Sequence, residues 1–308
     1  MYRREQQVRP VMPALPIADD QDLWSSDARS VVDKYMDSLP TLTDEEGDTI
    51  TRSTIGQADN PRWHEERVGG ITASVFRLVI KCVTPEYLVK RILYPSPDAA
   101  SEAMRYGRTH ESTAVAAYEE LMAAYDNPVH VRETGLHIHP VCSFIAASPD
   151  RIVVKDNEEG LLEVKCPRSK IGMTPVEACQ DRKFCCKDVA GSVHLKKTHA
   201  YYYQVQGQMA VTGHKWCDFV FWTNNGTAAR STHIETIAFD EKFAKRELLP
   251  GLFYFAEHAL FPEVVTGRIR RRRDLISHGK YVSFQNYCAG FYVVEDGPGL
   301  KKKFRRLE

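Results

Sequence analysis

Asp150 and Glu163 stand on either side of a strongly polar turn, Lys155 to Gly160 (KDNEEG), and Lys165 follows Glu163 by two residues. In an extended chain the side chains repeat every second residue, so Glu163 and Lys165 point to one side and Val164 to the other. The stretch that carries them, Leu161 to Pro167 (LLEVKCP), is otherwise suited to burial, where an unpaired charge is expensive. A divalent cation relieves that cost. Mg2+ takes carboxylate and phosphate oxygens and keeps waters, so an ion on Asp150 and Glu163 leaves room for a scissile phosphate. Such an ion orients and acidifies a water and stabilises charge on the phosphate oxygens. Lys165 then positions the water, or accepts its proton if burial lowers its pKa; the neighbouring carboxylates push that pKa the other way. The competing reading is a structural ion-pair network on a sheet, and on spacing alone it is the commoner outcome.

The elements that must bring these groups together can be read from periodicity. Phe144–Ala147 and Arg151–Val154 carry apolar and β-branched residues on either side of Pro149-Asp150, and Gly160–Cys166 follows the polar turn until Pro167 stops it, which predicts strand, turn, strand. If these segments pair as a hairpin, Asp150 reaches the pocket of Glu163 and Lys165. Ser101–Tyr125, rich in Ala and Glu and ended by Asn127-Pro128, reads as a long helix, and Ile71–Val83 as a helix with small polar residues at its start. Thr174–Asp181 and His199–Val211 read as further helices, Trp216–Thr223 (WCDFVFWT) as a strand, and Asp240–Phe255 as an amphipathic helix. Tyr201 to Tyr203, Trp216, Phe219, Phe221 and Trp222 are expected to pack in the core.

Several motifs lie in order over about residues 61–223: Trp63-His-Glu-Glu-Arg67, Gly70–Ser74 (GITAS), Gly107–Glu111 (GRTHE), SPD at 148–150, LLEVKCP at 161–167, and Tyr203–Gln206 (YQVQ). This ordered set resembles the YqaJ-like viral recombinase branch of the PD-(D/E)xK nuclease superfamily, which includes lambda exonuclease and is related to herpesvirus alkaline nucleases. The resemblance implies an α/β, restriction-endonuclease-like core with a central mixed β-sheet flanked by helices. It makes Asp150 and Glu163 metal ligands, Lys165 the catalytic lysine, and Glu111 a helix-borne acid that completes the metal shell. Gln204 helps to place Lys165, the water or the phosphate, although Gln204 and Gln206 lie about 200° apart around a helix and only one can face the site. Arg67 and Ser74 contact the DNA end, including its 5′ phosphate. The implied cofactor is Mg2+, with Mn2+ able to substitute. The implied activity is 5′-to-3′ exonucleolysis of linear double-stranded DNA in recombination or end processing, with a single-strand annealing protein as a further partner. A structure-selective endonuclease and a noncatalytic DNA-binding recombination module are the rival functions, and monomer and homo-oligomer both stay open.

Composition sets the outer bounds. Of 308 residues, 43% are hydrophobic and 27% charged, as in a soluble globular protein. No run approaches 18 apolar residues and the opening MYRREQQVRP has no secretory stretch, so an intracellular protein is expected, without a membrane and nuclear if eukaryotic. Cysteines at 82, 142, 166, 179, 185, 186, 217 and 288 fit a reducing compartment. Cys179, Cys185 and Cys186 with His194 and His199 match no usual zinc spacing. Charge is zero overall but separated. Residues 1–60 hold 6 Lys or Arg against 12 Asp or Glu, a net of −6, and residues 268–308 hold 11 against 4, a net of +7. The expected organisation is therefore an acidic N-terminal extension over 1–60, a nuclease domain over 61–265 and a basic C-terminal extension over 266–308. Within the first segment Trp24–Leu39 suggests a short helix and Asp44–Asp48 a solvated turn, the whole being a loosely docked arm. A neutral chain still suits DNA, because the field near a groove governs attraction. Arg67, Arg105 and Arg108 are the candidate phosphate contacts nearest the acids, and Arg270–Arg273 and Lys301–Arg306 read as DNA-binding edges, a nuclear-import signal or solvated tails.

Overall fold

A computed structural model of the chain describes residues 25–95, 101–275 and 281–287. In chain order the helices that matter here are α1 Ser26–Ser38, α2 Asp44–Ser53, α3 Pro61–Arg67, α4 Phe76–Ile80, α5 Glu86–Leu93, α6 Glu102–Ala124, α7 Pro175–Ala178 and α8 Ala200–Thr212. The strands are β1 Ile71–Thr72, β2 His130–Glu133, β3 His137–Ile138, β4 Ile145–Ala147, β5 Arg151–Lys155, β6 Glu158–Lys165, β7 Cys186–Val189, β8 Ser192–Leu195, β9 Trp216–Trp222 and β10 Thr232–Ala238. Five of them form the central sheet in the order β10-β9-β6-β5-β2. Only the β6–β9 pair is parallel; β10–β9, β5–β6 and β2–β5 are antiparallel. The sheet is mixed, as expected.

Strand alternation explains how the sheet is covered. Leu161 on β6, with Phe219 and Phe221 on β9, faces Tyr202, Val205 and Met209 of α8 and the β7–β8 hairpin. Leu162 and Val164 face the other way, onto Ala114, Val115, Tyr118 and Leu121 of α6. By the same parity Glu163 and Lys165 lie on the α8 side. The long helix α6 begins at Ser101, whose hydroxyl accepts the Met104 amide, and α8 ends at Gly213, which takes the left-handed conformation (φ 80°).

Beside this sheet a second cluster gathers around β1-β4-β3. Phe144, Phe76, Val79 and Ile80 pack there against Leu252, Phe253, Phe255 and Phe261. The amphipathic helix expected over Asp240–Phe255 runs on, as a continuous helical run, to Thr266. Two wide, π-type stretches, Ala244–Leu248 and Ala256–Leu260, end two residues before Pro250 and Pro262. A proline lacks an amide proton and crowds the carbonyl four residues earlier, and a widened turn relieves that clash, so neither proline ends the run.

The N-terminal segment departs from the loosely docked arm expected of it. Ala28, Val32, Tyr35 and Leu39 are buried in the helical cluster, and Tyr35 meets Phe261 edge to face at 5.2 Å. Leu42 and Ile50 pack with Trp63 and Leu136. The supposed solvated turn at Asp44–Asp48 is the first turn of α2. Thr43 and Glu46 form a reciprocal capping box there, and Asp44, Glu45 and Glu46 sit at the positive end of the helix dipole. Residues 1–24 and the Lys301–Arg306 cluster lie outside the described residues. Among the described residues no helix is long and apolar enough to cross a membrane.

Candidate active site

β5 and β6 pair with Arg151 opposite Leu162, a register that places Asp150, just before β5, opposite Glu163. The two acids are tied by the backbone, since Asp150 Oδ2 accepts the amide of Val164 at 2.7 Å. Glu163 is 1% exposed. Its Oε1 accepts from Lys165 Nζ and, at 2.6 Å, from Gln204 Nε2; its Oε2 accepts from Gln208 Nε2 at 2.6 Å. Lys165 Nζ also lies 4.8 Å from the centre of the Tyr201 ring. The strand alternation read from residues 163–165 thus puts an acid and an amine side by side.

The helical ambiguity is resolved by phase. Gln204 faces Glu163, whereas Gln206 turns away and holds the end of β10, donating to Ala238 O at 2.9 Å and accepting from the Asp240 amide at 2.7 Å. Gln208 was missed by the motif reading. It stands four residues after Gln204, one helical turn along the same face, and that spacing was the available signal.

Glu111, on α6, acts on Asp150 only through its charge. Arg151 intervenes: its Nη1 donates to Glu111 Oε1 at 2.9 Å and to the carbonyl of Asp150 at 2.6 Å. The three-carboxylate metal shell implied by the resemblance is not drawn together; among the described residues no three His, Cys, Asp or Glu side chains are gathered closely enough to hold a metal ion. The reason is visible in the partners. Arg151 holds Glu111, and the two oxygens of Glu163 already take three donors. The Cys179, Cys185, Cys186, His194 and His199 group holds no metal cluster either. His194 pairs with Glu235 at 3.1 Å and His199 caps α8.

The electrostatics of the acids still suit a cation. Burial, and then the charge of Glu163, push the Asp150 carboxyl well above its ordinary range, with Glu111 adding to the effect and Lys165 opposing it. Burial alone would lower the Lys165 ammonium, but Glu163, Asp150 and Tyr201 outweigh it and its pKa is raised. With only protein charges around it, Lys165 is a charged donor rather than a base. Two hard carboxylates in mutual repulsion, one of them accepting a backbone amide, form a donor set that suits a hard divalent cation.

The remaining candidates sit on α3, the turn after β1, and α6. The Arg67 guanidinium stacks on Trp63, 3.7 Å from the ring centre, and donates to Thr72 Oγ1 at 3.3 Å. Thr72 Oγ1 is in turn 3.4 Å from the exposed Ser74 Oγ. Ser74 does not cap a long helix, as the sequence suggested; it sits in a short 3-10 turn, Ala73–Val75, between β1 and α4. Arg105 and Arg108 are exposed on the first turns of α6.

Mixed sheet, flanking helices, and acids at the ends of two adjoining strands define the exonuclease fold of the PD-(D/E)xK type. More particularly, residues 62–215, half of the chain, match the YqaJ-like viral recombinase domain, and the chain belongs to that family. Among solved structures, LHK-Exo in complex with dAMP is 26% identical, with a TM-score of 0.50 over 67% of this chain and 94% of its own. An alkaline exonuclease from Laribacter hongkongensis, also LHK-Exo, is 25% identical over the same shares with a TM-score of 0.49. The shutoff and exonuclease protein of Kaposi's sarcoma-associated herpesvirus is 13% identical, covering 70% of this chain and 73% of its own, with a TM-score of 0.44. No curated protein is matched in sequence.

Proposed function

We propose that the protein is a divalent-metal-dependent deoxyribonuclease that removes nucleotides from the 5′ ends of linear double-stranded DNA during recombination or end processing. The observation that supports this most is the meeting of Asp150, Glu163 and Lys165 at the end of β5 and β6, with Glu163 held by three donors. Membership of the YqaJ-like family, and the likeness to an exonuclease structure that holds dAMP, support the same reading.

Asp150 and Glu163 would hold Mg2+, or Mn2+ in its place, with Glu111 assisting from its pairing with Arg151. When bound, the ion supplies an acidified water and neutralises charge on the scissile phosphate. The chain's own groups do the rest. Gln204 keeps one Glu163 oxygen turned toward Lys165. Lys165, charged, donates a hydrogen bond to the attacking water or a non-bridging phosphate oxygen and stabilises negative charge where it develops. Arg67, flat on Trp63 and beside the Thr72 and Ser74 hydroxyls, presents a guanidinium edge to the 5′ phosphate. Arg105 and Arg108 attract backbone phosphates without reading bases.

End-labelled linear duplexes and closed circles, digested in parallel with Mg2+, test this reading. Loss of label from 5′ ends with circles left intact is the expected result. Sustained cutting of closed circles would favour an endonuclease built on the same acids, and DNA binding without product would leave only a binding module. For Arg67→Ala, discrimination between 5′-phosphorylated and 5′-hydroxyl ends is expected to fall.

A further inference from the structure

Gln208 is fully buried on the face of α8 that Gln204 occupies one turn earlier. Its Nε2 donates to Glu163 Oε2 at 2.6 Å and approaches the carbonyl of Ser148 at 3.3 Å. Ser148 lies two residues before Asp150, and its hydroxyl accepts the indole N–H of Trp63 at 2.9 Å. Trp63 carries the Arg67 guanidinium on its ring. An unbroken series of contacts therefore runs from Glu163 through Gln208, Ser148 and Trp63 to Arg67, across four separate segments of the chain.

The amide has one workable orientation. Turned round, its oxygen would face a carboxylate oxygen and a carbonyl, both acceptors. In the orientation present, Oε1 is buried with no hydrogen-bond partner among the described residues. An orphaned acceptor costs free energy that a methionine of the same length would not incur, so packing alone does not account for glutamine here. What glutamine adds is a donor to the second oxygen of Glu163. Without it, only Oε1 is held, by Lys165 and Gln204, and the carboxylate is free to rotate about that point.

We propose that Gln208 is a positioning residue for the nuclease reaction: it fixes how the Glu163 carboxylate is turned and, through Ser148 and Trp63, keeps that carboxylate in register with Arg67. The inference rests on the nuclease reading above and adds a residue outside the motif. It predicts coupled behaviour at the two ends of the series, because residues sharing one network are not additive.

The test uses the full-length chain with Gln208→Met, which keeps the length and removes the donor. Mn2+ binding, measured by calorimetry without DNA, is expected to weaken about tenfold or more, and kcat to fall roughly 10–100-fold, with KM for duplex DNA changed less than about twofold. Trp63→Phe, which keeps a ring under Arg67 but removes the indole donor, is expected to lower kcat, and the double variant to be little worse than Gln208→Met alone. Wild-type Mn2+ affinity and kcat in a folded Gln208→Met protein would overturn the inference while leaving the nuclease reading intact. If Gln208→Met does not fold, unchanged kcat in Trp63→Phe overturns it instead. A wild-type protein that does not cleave would overturn the nuclease reading, and the Mn2+ titration would still decide whether Gln208 positions Glu163.

Discussion

At the scale of residues, the site depends on a balance of charge that magnitudes can decide. Two carboxylates and one ammonium leave a net negative pocket, and Lys165 is held charged by Glu163 and Asp150 in spite of its burial. In the proposed role it contributes a directed positive charge, which is typically worth about 10²–10³-fold in turnover when a single preorganised donor is removed. Lys165→Met is therefore expected to lower kcat by roughly that factor with DNA affinity nearly kept, as single-turnover cleavage and equilibrium binding would measure. Lys165→Arg is not expected to rescue it, because a planar fork does not replace a compact ammonium beside Glu163. Equal loss of folding in both variants would remove the catalytic assignment. The side-by-side placement of Glu163 and Lys165 was legible from spacing because strand parity is independent of the rest of the fold, whereas the place of Asp150 hung on the β5–β6 pairing. The choice between Gln204 and Gln206 was not, since helical phase says only that they diverge and not which one faces β6. Arg151 as the holder of Glu111 had no sequence signal, because that pair spans 40 residues and two elements.

At the scale of elements, α8 is the part whose placement matters most, since Gln204, Gln208 and the Tyr201 ring all come from it. It lies so close to α4 and the preceding 3-10 turn that a Cβ on Gly207 would stand 2.3 Å from two Phe76 ring atoms. Alanine at 207 would gain roughly 0.5–1 kcal/mol of helix propensity, whereas overpacking a buried contact costs about 1–3 kcal/mol. Gly207→Ala should lower the urea midpoint without changing the slope, and should slow cleavage as α8 shifts; a higher midpoint would contradict this close packing. Elements with a distinctive composition were readable: α6 by its Ala and Glu, α8 by its Gln and Met, and β5, β6 and β9 by their β-branched and aromatic residues. The edge strand β10 was missed because its burial alternates only weakly along Thr232–Ala238. The β7–β8 hairpin was missed because exposed Lys187 and Asp188 interrupt its apolar pattern. The acids at 44–48 were misread because a charged cluster signals a solvated turn and a helix start equally well until Thr43 is paired with Glu46.

At the scale of the whole molecule, residues 25–39 are part of the same core as the domain that follows, since the apolar face of α1 is covered by the Glu241–Thr266 run. An acidic composition had suggested an arm, but composition cannot show that Ala28, Val32 and Tyr35 share one helical face with something to cover them. Stability of this joint core should depend on pH through His139. Its Nδ1 accepts the Val141 and Cys142 amides at 3.3 and 3.2 Å, so the ring must be neutral there, and burial pushes its pKa down to about 4 from 6.5. Above pH 6.5 this contribution is fully present. Between 6.5 and about 4 the unfolded chain takes up the proton first, and the loss approaches on the order of 3 kcal/mol before flattening below the folded-state value. Urea unfolding of wild type and His139→Asn across that window should show a steeper pH dependence in wild type by about one proton; parallel curves would contradict the buried neutral ring.

The acids of β5 and β6 can be tested together by one comparison, Asp150→Asn against wild type, in digestion of a linear duplex across a Mg2+ titration. Wild type should release nucleotides with a saturable Mg2+ dependence that a chelator abolishes, while Asp150→Asn binds the duplex and leaves it intact. Cleavage by Asp150→Asn at the wild-type rate, or wild-type cleavage indifferent to the chelator, would contradict the account.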